Sequence, residues 1–212
     1  IATHGRKGPV VIDLPMNISR AEIDPEELRG YVPEADASSL IPVEALRKLI
    51  EEAERPVLLV GGGCKGVHTA KMLDNYLAAT GMPVVTSLMG RGLIDETCPN
   101  YVGMIGSYGN RCANMAVASA DLLIALGSRL DTRQTGTQYQ SFLKEGRIIH
   151  VDLDVNELNC HRIENRLRVY ASVEDFLKEL ENTPFNYKDY TTWNAWIARL
   201  RRDYSQDREV ER

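Results

Sequence analysis

The sequence predicts an α/β fold, a doubly wound and mostly parallel six-stranded sheet, and three observations carry that expectation. Short apolar runs alternate along the chain with segments of helical periodicity, the order that builds parallel sheets. The runs are apolar throughout, as strands covered on both faces require. One of them, "VLLVGGGCKG" at 57–66, passes from strand to three glycines and then to a helix-forming segment, the order of a nucleotide-binding α/β unit.

In chain order, "PVVIDL" (9–14), closed by Pro15, reads as a buried strand. The polar, proline-containing stretch 17–39 reads as a connector. From Ile41 the pattern is regular. Pro42 suits the first position of a helix, and Val43, Leu46, Leu49, Ile50 and Ala53 share one apolar face. "PVLLV" (56–60) is a strand, 67–80 a helix stopped by Gly81, and "PVVTSL" (83–88) a strand leading into a glycine-rich loop. A small-residue helix at 110–120 precedes the strand "DLLIALG" (121–127). After a long loop come the strand "RIIHVDL" (147–153), a short helix at 156–160, the strand "LRVYA" (167–171) and a helix at 173–180. Asp154 with Glu157, and Ser172 with Asp175, have the spacing of helix caps, and Asp121 starts a strand or caps the preceding helix. Beyond Pro184, Trp193, Trp196, Ile197 and Leu200 fall on one helical face, which must dock on something; a domain outside this chain is one candidate.

With 43% hydrophobic and 26% charged residues, the 212-residue chain has ample material for a core. Its net charge of -5 and the lack of a basic run interleaved with aromatics argue against nucleic-acid binding. No run of about 18 apolar residues exists to span a membrane. The chain opens at Ile1 without a signal-peptide pattern or initiating Met, and so reads as a piece of a longer protein. Cysteines at 64, 98, 112 and 160 form no C-x-x-C, which disfavours a zinc site or disulfide framework and suits a reducing, cytoplasmic compartment.

Gly61, Gly63 and Gly66 make a G-x-G-x-x-G pattern, where glycine lets the backbone approach a pyrophosphate and the helix start supplies N–H donors. A tight turn with no ligand is the alternative. An NAD site also wants an acid roughly 20 residues on, at the end of the next strand; this chain offers Thr86 and Ser87 there, which counts against an NAD-dependent dehydrogenase or deacylase. Other strand ends supply "SLMGRG", "GSRLDTRQTG" and "VDLDVNE". Extended backbone would place Arg129, Asp131 and Arg133 on one side, where two guanidiniums would clamp a diphosphate; a solvated loop with local ion pairs is the alternative. Asp152 is a candidate acceptor for a ribose or adenine hydrogen bond. The histidines are scattered, and His150, inside a strand, reads as a buried structural residue. No catalytic or metal-binding constellation is present, so neither kind of residue is expected in this chain.

Taken together, "GRKGPVVIDLPMNI", "RPVLLVGGGCKG", "GMPVVTSLMGRGLIDETCPNYVGMIGSYGN", "ADLLIALGSRLDTRQTG" and "RIIHVDLDVNELN" resemble successive blocks of thiamine-diphosphate enzymes of the acetolactate synthase type. The resemblance covers residues 5 to about 180. It implies a Rossmann-like central domain of the DHS-like NAD/FAD-binding type at 41–183. Residues 1–25 would be the tail of the preceding pyrimidine-binding domain, 26–40 a linker, and 184–212 a linker helix toward a diphosphate-binding domain. The activating glutamate and the Gly-Asp-Gly motif for thiamine diphosphate and magnesium would lie in those other domains. The chain alone would thus be inactive, and its parent a homodimer or homotetramer.

In this family the central domain holds FAD in a structural role, holds ADP, or is an empty spacer. Carried over residue by residue, the resemblance implies nucleotide contacts at Arg6, Gly61, Gly62 and Gly63. A flavin loop would comprise Ser87, Leu88, Met89 and Gly90, and a second wall Ile105, Gly106, Ser107 and Tyr108. Gly127, Ser128, Arg129, Asp131 and Arg133 would form a further contact loop, with Asp152 and Leu153 at the adenine end. Departures stand at Tyr108 for a usual His, Leu130 for Phe, Thr132 for Asp, and Ser172 within "YASVED" for the Asp of a Gly-Asp-Ala stretch. They open the alternative of a paralogue acting on another 2-oxo acid or a sugar-derived substrate.

Overall fold

The structure, a computed structural model, describes residues 2, 3, 5, 7–32 and 39–204, with Val67 described through its backbone alone. The chain divides into two compact units, 1–38 and 39–212.

The first unit has little regular structure among its described residues. It contains the one-turn helix α1 (Met16–Ser19) and a helical turn at Pro25–Glu27, capped by the Asp24 carboxylate accepting from the Glu26 N–H at 3.0 Å. The buried strand predicted at 9–14 is not formed. Val11 and Ile12 are 91% and 82% exposed. An apolar run becomes a strand only when a neighbour takes up its backbone N–H and C=O groups, and among the described residues none pairs with this one.

The second unit is the doubly wound sheet. Its strands are β1 (Pro56–Val60), β2 (Val84–Thr86), β3 (Tyr101–Met104), β4 (Leu122–Leu126), β5 (Arg147–Asp152) and β6 (Arg166–Tyr170), all parallel in the order β3-β2-β1-β4-β5-β6. Six strands occur, the number predicted; β3, "YVGM", lies in the stretch after 83–88 that reads from the sequence as a glycine-rich loop. β1 and β4 lie at the centre and are buried at every position, which is why they read as unbroken apolar runs. The helices are α2 (Val43–Glu52), α3 (Val67–Thr80), α4 (Arg111–Ser119), α5 (Thr132–Thr135), α6 (Val155–Asn159), α7 (Val173–Asn182) and α8 (Thr191–Asp203). α3 packs with α7, and α4 with α8. Gly81 ends α3 at φ 65°, the left-handed position that glycine fills without strain. Asp154 caps α6 through the Asn156 N–H at 2.8 Å, and Ser172 caps α7 through the Asp175 N–H at 2.9 Å, as the spacing predicts.

Asp121 immediately precedes β4. Its carboxylate accepts from the backbone N–H groups of Glu54 and Arg55, both at 2.9 Å, and so ties the amino end of β4 to the turn that enters β1. The tryptophan face of α8 docks on this same unit. Trp193, Ile197 and Leu200 are buried in its core, Trp193 Nε1 donates to the Pro56 carbonyl at 3.0 Å, and Asn194 donates to Gly81 O at 2.9 Å. The apolar face thus finds its surface within the chain. Among the described residues, no helix is long and apolar enough to cross a membrane.

Candidate functional site

The strand order reverses between β1 and β4, one leading out to β2 and β3 and the other to β5 and β6. In open α/β sheets the crevice at such a switch point, outside the carboxyl ends of the strands, is where ligands bind. The two strand ends meet here through glycine. Gly63 N–H donates to Gly127 O at 2.9 Å, and Gly61 N–H to Leu126 O at 2.9 Å. A Cβ on Gly61 would stand 2.6 Å from Ser128 Cβ, and one on Gly63 would stand 2.8 Å from Gly127 Cα. Gly127 itself has φ 53°. The glycines are therefore demanded by the contact of one loop with another, whatever ligand lies above them. Gly66 is the N-cap of α3.

The other strand ends join this crossing. Ser87, buried, caps the turn Leu88–Gly90 by accepting from the Gly90 N–H at 3.1 Å. A Cβ on Gly62 would touch Met89 Cβ at 3.0 Å, and one on Gly90 would stand 3.0 Å from the Val60 carbonyl carbon. After β3, Ile105 is buried and donates to Thr86 O at 2.9 Å. Ser107 N–H donates to Arg133 O at 2.8 Å, and Gly106, at φ 104°, would bring a Cβ to 2.6 Å from that same carbonyl oxygen. Gly127 N–H donates to Val151 O at 3.0 Å, which binds the β4 end to β5. The buried Asp152 carboxylate accepts from the Asp154 N–H at 2.9 Å. The structure thus brings together the loops carrying Gly61, Gly62, Gly63, Ser87, Leu88, Met89, Gly90, Ile105, Gly106, Ser107, Tyr108, Gly127, Ser128, Arg129, Asp131, Arg133, Asp152 and Leu153. Arg6 lies outside the described residues.

Apolar side chains left in solvent stand around this end of the sheet. Leu88 is 55% exposed, Met89 62%, Tyr108 80% and Leu153 41%. Such a rim suits a flat, partly apolar ligand. Thr86, at the end of β2, is fully buried and hydrogen-bonded to the Tyr101 hydroxyl at 3.3 Å; it occupies the strand end where a dinucleotide fold places its ribose-binding acid.

The alternation predicted for Arg129, Asp131 and Arg133 does not hold. Leu130 takes φ 49°, and Asp131 caps α5 by accepting from the N–H groups of Arg133 and Gln134 at 2.9 and 3.2 Å. The chain is a bend followed by a helical turn, so period-two reasoning fails there. Arg129 makes a partly exposed ion pair with Asp131 at 3.6 Å. Arg133 lies within α5 and is exposed.

Several residues that hold these loops carry no local motif. Asn114 of α4 engages both backbone groups of Gly106, accepting from its N–H at 2.8 Å and donating to its C=O at 3.0 Å. His150 is fully buried; Nε2 lies 2.8 Å from Ser128 O and Nδ1 accepts from Arg166 at 2.7 Å. Burial, and then the Arg166 guanidinium, push its pKa down to about 3. His161 lies 3.0 Å from Arg129 O, with its pKa lowered chiefly by burial. A buried polar residue in an apolar run was the sequence signal for His150; Asn114 and His161 gave none.

Two hollows stand out among the described residues. One of about 200 Å³ lies behind the β4 loop, lined by Arg129, Asp131, Thr135, Tyr139 and His161. The larger, about 640 Å³, lies at the opposite, amino end of the strands beside Arg55, Ser119, Lys188, Trp193 and Trp196. Its size does not make it the site: its charged rim is self-paired, Lys188 reaching Glu54 at 3.5 Å and Glu52 O at 2.8 Å. Among the described residues no group of three His, Cys, Asp or Glu side chains could hold a metal ion.

Residues 43–180 match the family model described as thiamine pyrophosphate enzyme, central domain. The chain is 35% identical over 205 residues to the acetolactate synthase isozyme 2 large subunit of Escherichia coli (strain K12), covering 97% of this chain and 36% of that protein. It is 36% identical over 212 residues to a probable acetolactate synthase large subunit of Methanocaldococcus jannaschii, covering 95% and 35%. It is 34% identical over 217 residues to acetolactate synthase 1, chloroplastic, of Zea mays, covering 96% and 33%. The chain thus spans about a third of the length of these curated relatives.

Proposed function

Because the chain belongs to the thiamine pyrophosphate enzymes, as their central domain, we propose that it is the nucleotide-holding, non-catalytic part of a 2-oxo acid decarboxylase or carboligase of the acetolactate synthase kind. The observation that carries the nucleotide reading is the switch point between β1 and β4. Five strand-end loops converge there on bare glycine backbone, beneath a rim of exposed Leu88, Met89, Tyr108 and Leu153. The residues fit FAD or ADP. Arg129 and Arg133 would meet the diphosphate as separate charges from the two sides of Leu130. Leu88, Met89 and Tyr108 would cover a flat ring, and Asp152 with Leu153 would lie at the adenine end. FAD would act here as a structural group. Thiamine diphosphate, with magnesium, would supply the carbanion chemistry in the pyrimidine- and diphosphate-binding domains of the parent. The parent would be a homodimer or homotetramer, with 1–25 and 184–212 as its connections to those domains. All four cysteines are free thiols, which supports a reducing, cytoplasmic compartment.

One observation favours a second reading, a spacer with an empty pocket: Gly61 and Gly63 are explained by contact with Gly127 alone. Calorimetric titration with FAD, ADP and NAD, with thiamine diphosphate as control, decides between the two. Micromolar binding of FAD or ADP, weakened about tenfold or more by Arg129→Ala and by Arg133→Ala, is the expected result. No binding to this chain or to the full-length parent would leave the spacer. Binding and turnover of NAD would overturn both.

A further inference from the structure

We infer that His150 and His161 are positioning residues that set the backbone of the β4 loop to receive an anionic oxygen; this rests on the nucleotide reading of the crevice. The carbonyls of two consecutive residues, Ser128 and Arg129, are held by two histidine Nε2 atoms at 2.8 and 3.0 Å. The imidazole centroids lie 5.6 Å apart, edge to face, so both carbonyls are drawn to the same side of the chain. In extended backbone, consecutive carbonyls point to opposite sides. Holding both on one side bends the chain at Arg129 and leads it into Leu130 at φ 49°, a conformation disfavoured for a non-glycine residue.

Each peptide is planar and trans, so the N–H groups of Arg129 and Leu130 point away from the histidines. Among the described residues neither N–H makes a hydrogen bond. Two adjacent N–H groups facing one way are the element from which backbone anion sites are made. The chemical class served is a phosphate or diphosphate oxygen.

The histidines are themselves locked. A carbonyl only accepts, so each Nε2 must carry the proton. Each Nδ1 faces a group that only donates: the Arg166 guanidinium for His150 at 2.7 Å, and the Ile163 N–H for His161 at 3.1 Å. Both rings are therefore neutral Nε2–H tautomers. Arg166 is held in turn by Ile163 O at 2.6 Å and Leu158 O at 3.0 Å. The loop's geometry is thus set from β5, β6 and the segment after α6.

His161 is half-buried and is the position to test. His161→Phe removes the donor, whereas His161→Gln keeps an N–H near the Nε2 position; both lose the Nδ1 acceptor, so their difference isolates the clamp. FAD and ADP affinity, thermal unfolding and backbone amide NMR shifts are measured for the wild-type chain and both variants. The expected result is an affinity about tenfold weaker in His161→Phe and within about threefold of wild type in His161→Gln, at similar unfolding temperatures. Amide shifts at 128–134 should move in the first variant and not in the second. Unchanged affinity in His161→Phe, or equal loss in both variants, would overturn the proposal. If the wild-type chain binds neither nucleotide, the nucleotide reading fails by itself; the amide shifts then decide, and shifts at 128–134 that are the same in both variants would overturn the clamp.

Discussion

His150 is the residue whose chemistry is most altered by the fold. Its pKa is pushed from 6.5 to about 3, first by burial and then by Arg166. The unfolded chain therefore takes up a proton below pH 6.5 while the folded chain refuses it until about pH 3. Stability is fully present above 6.5 and is lost as pH falls through that window, by up to about 1.4 kcal/mol per pH unit. Thermal unfolding of the wild-type chain between pH 7 and pH 4 should show this slope, and His150→Gln should flatten it. Profiles that superimpose would mean that His150 titrates normally in the folded state. Gly127 makes a second residue-scale case. Gly127→Ala meets both φ 53° and a Cβ contact of 2.6 Å with Gly63 Cα, whereas Gly92→Ala meets φ 79° with nothing within 4 Å. Denaturant unfolding should show about 1 kcal/mol lost at 92 and about 3 kcal/mol or more at 127. The difference measures how tightly the β1 and β4 loops are pressed together.

At the scale of elements, the buried indole of Trp193 anchors α8 beside Ile197 and Leu200. Trp193 stacks on Trp196 at 4.9 Å between ring centroids and donates to Pro56 O. Trp193→Ala should cost about 3–5 kcal/mol in chemical denaturation, and Trp193→Phe about 2 kcal/mol, since the ring is largely replaced but the Pro56 carbonyl loses its donor. Equal unfolding midpoints for wild type and Trp193→Ala would show that the helix is not part of the cooperative unit. Elements with a strong period were legible: the range of α3 is predicted residue for residue, and β1 and β4 stand out as apolar runs. β3 was not. It is four residues long, contains Gly103 at φ 136°, and pairs with β2 through a register irregularity at Val84/Val85; its formation is decided by the neighbouring strand. The segment 9–14 failed for the complementary reason, having the composition of a strand but no ladder partner among the described residues.

Across the molecule, the glycine loop, the doubly wound order and the family were readable from the chain. What escaped is nonlocal. A leucine in the left-handed region at 130 overrides its own preference because carbonyls on either side of Arg129 are held by residues 22 and 32 positions away. The use of Gly61 and Gly63 against Gly127, and of Asn114 against Gly106, joins segments that no window of sequence contains together. Local propensity places the elements; the site is made by what crosses between them.

The bond from Trp193 to Pro56 spans 137 positions, and it has a consequence for how this domain is made. Within this domain the central strand is synthesised well before the helix that covers its amino end. Until that helix emerges, an apolar floor stays open on a nascent chain whose neighbouring strands are already able to pair. Parallel pairings between distant segments are slow to form, and exposed floors of this kind are where chaperones bind and aggregates start. Docking of the indole is then a late latch, and synthesis past residue 203, rather than completion of the sheet, is the point at which the domain can close.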